Sequence, residues 1–436
     1  MSSDKSIGYW GAVAIGIGGM VGGGIFAVLG LAVQLAHGGT PVAFLVAGLV
    51  ALLTSYSYAK LSVNFPSQGG TVVYLDRAFG KELFTGSLNN LLWLSYIIML
   101  ALYSYAFGSY GATFFPKEYQ PIVTHVLITL GILVPAILNV VSAALVSKAE
   151  TYVVVIKLAI LVFFIAVGFQ GVDTARLSVS NWTPVVQVAA GGMIIFLAYE
   201  GFELIANTAQ DIVNPASNLP KALYSSLGFV IILYILIAIV SVGNLPVQQI
   251  IDAKDYALAQ AAKPFLGHPG FVLISVAAML STFSAINATL YGSSRLSYII
   301  AKEGELPKML ENKIWNQPVE GLIITTVLAI ALANLADLSA ISTMGSSGFL
   351  IIFAAVNASN IKLADQTDSK RWISIVGLAG CLLAFGALIW YTISSDPAKL
   401  WILGGMVTLV FVIEFSYREY RNKPLLFSKD EVEQES

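Results

Sequence analysis

The sequence predicts an all-α integral membrane protein of twelve transmembrane helices, and three observations carry that reading. Of its 436 residues 57% are hydrophobic and only 11% are charged, with a mean hydropathy of +0.79. A soluble domain carries about 25% charged residues to cover its water-facing surface. Apolar runs long enough to cross a bilayer, roughly 20 residues each, recur along nearly the whole chain. The basic residues, finally, cluster on alternate connections between those runs.

Between charged or Pro/Gly/Asn punctuation the runs lie near 11–36, 41–64, 84–112, 121–142, 149–170, 183–210, 220–242, 269–298, 318–336, 338–360, 373–393 and 399–417. The break between the ninth and tenth is the weakest, since only Asn334 to Leu338 interrupts the run. With the N-terminus inside, 17 of the 23 lysines and arginines fall inside and 5 outside, and Lys157 stays within the membrane. The positive-inside rule therefore places both termini in the cytoplasm of a multi-pass protein of the cell inner membrane. The short polar N-terminus lacks a signal-peptide pattern, so the first span is expected to remain in the mature protein.

The chain divides into a cytoplasmic N-terminus (1–10), helices 1–5 (11–170), helices 6–10 (183–360), helices 11–12 (373–417) and a cytoplasmic tail (418–436). Phe65 to Lys81 reads as a short helix on the cytoplasmic face, and Pro246 to Pro264 as an external helical lid. The tail from Asn422 is charged and reads as disordered. A net charge of −2 gives no reason to expect nucleic acid. The lone Cys381 forms no intrachain disulfide. His37, His125 and His268 are scattered near span ends and suggest no metal site.

The first span holds Gly16, Gly18, Gly19, Gly22, Gly23 and Gly24. Each glycine costs about 1 kcal/mol in a helix interior, so the run argues for an interrupted helix. Irregular backbone at membrane depth survives only where it is buried or lines a cavity. Freed N–H groups on the outer half would face a carboxylate and freed carbonyls on the inner half an ammonium, a pairing that suits a zwitterionic amino acid. Glycine-mediated packing is the alternative, because Gly18–Gly22 and Gly19–Gly23 have small-xxx-small spacing.

The sixth span pairs Gly191-Gly192 with Phe196-Leu197-Ala198-Tyr199-Glu200-Gly201-Phe202-Glu203. Carboxylates at mid-span cost roughly 2.5–3.5 kcal/mol each on insertion scales. They should face a cavity, although Glu203 also suits a purely structural role tying helices together. Spans one and six are five apart, the relation expected of two five-helix repeats of opposite topology that each begin with a broken helix. In span five, Lys157 lies roughly 10 Å inside the predicted end. It either snorkels to the interface or faces the bundle, where burial favours loss of its proton during transport.

These features together resemble the amino acid–polyamine–organocation (APC) superfamily. The matching residues are Gly22-Gly23-Gly24-Ile25-Phe26, Phe196 to Phe202, Asn214-Pro215 with Asn218-Leu219-Pro220-Lys221-Ala222 in the loop after span six, and Ala301-Lys302-Glu303-Gly304-Glu305-Leu306-Pro307. Within it the chain looks closest to the ApcT-type proton-coupled amino acid transporters, through Asn287 to Gly292, Gly243-Asn244-Leu245-Pro246 and Lys157. The resemblance implies a LeuT-type 5+5 inverted repeat with helices 1 and 6 broken, plus two C-terminal helices. It further implies that Lys157 contacts the backbone near Gly18 and a hydroxyl of Ser281 or Ser284. Gly22, Gly23 and Gly24 would hold the substrate carboxylate, the carbonyls of Met20, Leu197 and Glu200 the amine, and Phe196, Tyr199 and Phe202 an aromatic gate. Two departures stand out: Ala216-Ser217 where relatives carry basic residues, and Glu200 where they often carry an apolar one.

The expected function is therefore proton-coupled amino acid symport by alternating access, with no enzymatic activity and no cofactor. The partners are an amino acid substrate, protons and the lipid bilayer, with the chain a monomer or weak oligomer. Glu200 and Glu203 keep open uptake or exchange of a cationic amino acid or polyamine. Gly345-Ser346-Ser347-Gly348 raises an intramembrane serine hydrolase, but no histidine follows Ser347 to serve as its base. That makes the hydrolase a remote alternative, and a channel or sensor is a further reading against which stands the lack of a repeated carbonyl filter or ring-forming charge pattern in the sequence.

Overall fold

The computed structural model describes residues 6–141, 143–312 and 318–421, with the backbone alone for 141 and 143–151. The predicted disordered tail from Asn422 lies outside the described residues. Sixteen α-helices follow one another and, among the described residues, no β-strand forms.

Span one is two helices, α1 (Tyr9–Met20) and α2 (Gly24–Ala36), bent by 46°. α3 (Thr40–Asn64) is span two, and α4 (Thr71–Phe79) is the short helix predicted after it. Its Val72, Tyr74 and Leu75 are fully buried, so one face of α4 packs into the end of the bundle while Arg77 is exposed. α5 (Leu83–Ala112), α6 (Gln120–Val141) and α7 (Ala143–Gly168) are spans three to five. Span six is α8 (Val185–Ile194), a 3-10 turn at Phe196–Tyr199 and α9 (Leu204–Asn207). α10 (Pro215–Asn244), α11 (Val247–Ala253) and α12 (Ala257–Lys302) follow, with Gly267 at φ 63° dividing α12 into a short lid portion and span eight. α13 (Val319–Leu335), α14 (Leu338–Lys362), α15 (Arg371–Ser395) and α16 (Ala398–Tyr420) complete the chain.

Nine helices and the bent α1–α2 pair are long and apolar enough to cross a membrane among the described residues. The other two predicted spans fall on shorter apolar helices, α8 and α13. α8 is short because span six is interrupted. α13 stops early because Asp337 starts a new helix, its carboxylate accepting from the Ala340 N–H at 2.9 Å. The uncertain break between spans nine and ten is thus a real, capped boundary.

Two boundaries differ from the sequence expectation. α7 begins at Ala143, so the segment before 149 is helix rather than connection. The Asn214 to Ala222 motif, expected in a loop, opens α10 instead: Asn214 at φ 47° precedes Pro215 at the first helical position. Apolar side chains on α6, α7, α15 and α16 point outward, among them Ile122, Val155, Leu383 and Trp401. α5 and α14 are the most buried of the long helices. Isolated backbone bridges join Ile7 to Ile212 and His37 to Trp182, tying spans one and six together at both of their ends.

Candidate functional site

The site forms where the two interrupted spans meet. At the end of α1 the last turn tightens, with Gly22 N–H donating to the Gly19 carbonyl at 3.1 Å. Gly23, at φ −147° and ψ −15°, then leaves the helix. The carbonyls released there find hydroxyl donors. Ser281 of α12 donates to Val21 at 2.8 Å and Gly22 at 2.5 Å, and Tyr234 of α10 donates to Met20 at 2.7 Å. The first-turn N–H groups of α2 have no intrahelical acceptor and lie at the positive end of that helix dipole.

In span six the released carbonyl of Ile194 accepts from Ser342 at 2.8 Å and Ser346 at 2.7 Å, while Ser346 Oγ accepts from Leu197 N–H at 3.2 Å. Glu200 is extended and Gly201 sits at φ 111°, a backbone region that L side chains rarely adopt. The two breaks pack back to back. A Cβ on Gly24 would lie 2.8 Å from Ala198 Cα, and one on Gly201 would lie 2.7 Å from the carbonyl carbon of Gly19. Close packing and helix interruption are therefore both uses of the glycine run.

Three ionisable side chains surround this crossing. Lys157 is 1% exposed and its Nζ donates to the Gly18 carbonyl at 3.0 Å. The lysine thus faces the bundle and does not snorkel. Ser281, expected to share that lysine, donates to the Val21 and Gly22 carbonyls, and Ser284 is half-buried on the same helix. Glu203 Oε1 accepts from Tyr96 at 3.2 Å, Glu203 Oε2 from Gly201 N–H at 2.8 Å, and Glu200 Oε2 from Tyr103 at 3.3 Å.

The expected gate residues separate into two groups. Phe196 and Phe202 pack on Phe353, with centroids 5.8 and 5.3 Å away, and Phe202 also meets Tyr58 at 5.4 Å. Tyr199 turns instead toward α3, donating to the Phe44 carbonyl at 2.8 Å with its ring 5.2 Å from Tyr234. The Leu197 carbonyl accepts from Glu200 N–H at 3.1 Å. A carbonyl has two lone pairs, so this bond and that to Met20 each leave one acceptor position. Ser347 of the GxSG pattern donates to Thr343 within its own helix at 2.7 Å, and Ser346 bolts α14 to the span-six break.

Sequence reasoning passed over Tyr96, Tyr103, Tyr234 and Ser342, and met Ser346 only as part of the Gly345 to Gly348 pattern. A hydroxyl in an apolar span costs little and leaves no periodic trace. The single pointer available was that a released carbonyl buried in protein must find a donor.

Residues 7–412 match the family described as amino acid permease. An uncharacterized protein of Methanocaldococcus jannaschii is 35% identical over 95% of this chain and 96% of its own length. The inner membrane transport protein YbaT of Escherichia coli is 34% identical over 94% of this chain and 96% of its own. The methylthioribose transporter of Bacillus subtilis is 24% identical over 95% and 93%. A match of that extent, on a bundle of this kind, has one meaning: the chain belongs to the amino acid permease family of APC transporters, and is a multi-pass membrane transport protein rather than an enzyme.

Proposed function

We propose that the protein is a proton-coupled amino acid symporter working by alternating access, with both termini in the cytoplasm. Helices 1–5 and 6–10 form its inverted repeats. The observation that carries this reading is the bond from Lys157 Nζ to the Gly18 carbonyl, immediately before the interruption of span one. A protonated amine there holds α7 to the inner half-helix of span one. Its deprotonation removes the charge from that contact and loosens it, so the proton and the backbone break act together. The N–H groups around Gly22, Gly23 and Gly24 receive the substrate carboxylate. The Met20, Leu197 and Glu200 carbonyls receive its amine, and Phe196 and Phe202 close over it.

Replacement of Lys157 by alanine tests this in proteoliposomes. Proton-driven uptake is expected to fall at least about tenfold, equivalent to roughly 1.4 kcal/mol, while substrate still raises the melting temperature of the purified variant. Uptake at the wild-type level overturns the assignment.

A second reading rests on Glu200 and Glu203, whose carboxyls sit beside the break. The cationic amino acid transporter 6 of Arabidopsis thaliana, 25% identical over 95% of this chain, bears a name that fits a cationic substrate. The two carboxyls are, however, already engaged, Glu203 with Tyr96 and Gly201 N–H and Glu200 with Tyr103. That engagement favours a structural role and a neutral substrate. Competition by arginine or putrescine against neutral amino acids separates the two.

A further inference from the structure

A second cluster of carboxyl groups lies away from the substrate crossing, at the end of the bundle that carries α4 and the segment after α12. Asn89 of α5 donates through its one amide nitrogen to Asp76 Oδ1 of α4 at 3.1 Å and to Glu305 Oε2 at 2.7 Å. Glu305 is 1% exposed and Asn89 fully buried. Glu305 Oε1 and Asn89 Oδ1, both buried acceptors, have no hydrogen-bond partner among the described residues. Two acceptor-only carboxylates on a single amide, beside orphaned oxygens, make an arrangement short of donors. Protonation of a carboxyl supplies one.

The surrounding charges do not relieve the shortage. From α16, Glu414 and Arg418 are paired with each other at 2.6 Å, and Asn90 of α5 donates to Glu414 at 2.9 Å. At the rim Lys81 pairs with Glu303 at 2.6 Å. From α14, Lys362 lies over the ring of Phe79 at 5.4 Å, and Arg77 of α4 lies over Phe65. Burial, reinforced by Glu303 and opposed by Asn89 and Lys81, pushes Asp76 up to about 7. Burial, reinforced by the Asp76 charge and opposed by Asn89, pushes Glu305 up to about 8. These values belong to the pair as a unit.

We propose that Asp76 and Glu305, bridged by Asn89, form a proton-binding latch that holds α4 against the segment after α12 and releases it as the pH on that side rises. The closed pair has raised affinity for protons and the solvated pair ordinary affinity. The latch is therefore strongest below the ordinary carboxylate range and is lost as pH climbs through 7 to 8. If the basic-rich end is cytoplasmic, as the orientation reading has it, protons delivered by transport tighten the latch. Uptake then restrains itself in an acidified cell.

Hydrogen exchange of the full-length protein in nanodiscs at pH 6 and pH 8, corrected for the chemical exchange rate, tests the latch without any transport measurement. Its failure therefore leaves the Lys157 reading untouched. Opening can rise up to about tenfold per pH unit for each proton released, so exchange in 71–79 and 303–307 is expected to quicken at least about threefold, with α15 unchanged. The double variant Asp76→Asn, Glu305→Gln is expected to lose this pH response. Equal corrected exchange in the wild type at both pH values overturns the latch, and this comparison needs no substitution. A wild-type response retained in the double variant overturns the assignment to these two residues.

Discussion

The hydroxyl of Tyr234 donates to the Met20 carbonyl at 2.7 Å and the Ala198 carbonyl at 3.2 Å, so a single phenol serves both interrupted spans. Replacement by phenylalanine keeps the ring that packs on Phe44 and Tyr199 and removes only the donor. Leaving a buried carbonyl unsatisfied costs about 1–3 kcal/mol. Tyr234→Phe is thus expected to lower thermal stability by that amount, and a melting temperature equal to wild type would show that other donors replace it. Lys157 and the glycines of span one were legible in the sequence because each is expensive where it stands. A charge or a helix-breaking run in lipid demands an explanation. Tyr234 and Ser346 demanded none, since tyrosine and serine sit in apolar helices at little cost. Their roles come from which released carbonyl lies opposite, a property of the folded arrangement alone.

Among the helices, the spans were legible through their apolar length, and the interruption of span six through Glu200, Gly201 and Glu203, whereas Gly191-Gly192, read with them, lie inside α8. Helix ends were less so. α7 extends back to Ala143 because Ser147 and Lys148, left outside span five, are compatible with helix beyond the apolar core. The glycines also divide by position in a way their spacing conceals. Gly24→Ala would force a methyl against Ala198 backbone, which cannot swing aside. Gly228, inside α10, has nothing within 4 Å of a built Cβ. Gly24→Ala is therefore expected to abolish uptake while the protein still reaches the membrane. Gly228→Ala is expected to leave uptake intact and to add up to about 1 kcal/mol of stability. Matching transport rates in the two variants would refute the close approach of spans one and six.

Across the whole molecule, α16 carries a buried ion pair within itself, Arg418 being 2% and Glu414 0% exposed, and is tied to α5 where Asn90 donates to the same carboxylate at 2.9 Å. Removing one member of such a pair costs about 3–5 kcal/mol. Arg418→Ala is expected to destabilise the protein by that amount in thermal unfolding, and the double variant Glu414→Gln, Arg418→Met by much less. Equal losses would mean that lost side-chain packing, not an unpaired buried charge, sets the cost. The bridges from Ile7 to Ile212 and from His37 to Trp182 have a mechanical consequence. Two jointed arms pinned together at both tips cannot splay apart there. Displacing one tip drags its counterpart unless a pin gives way, so independent movement is left to the joints between the pins.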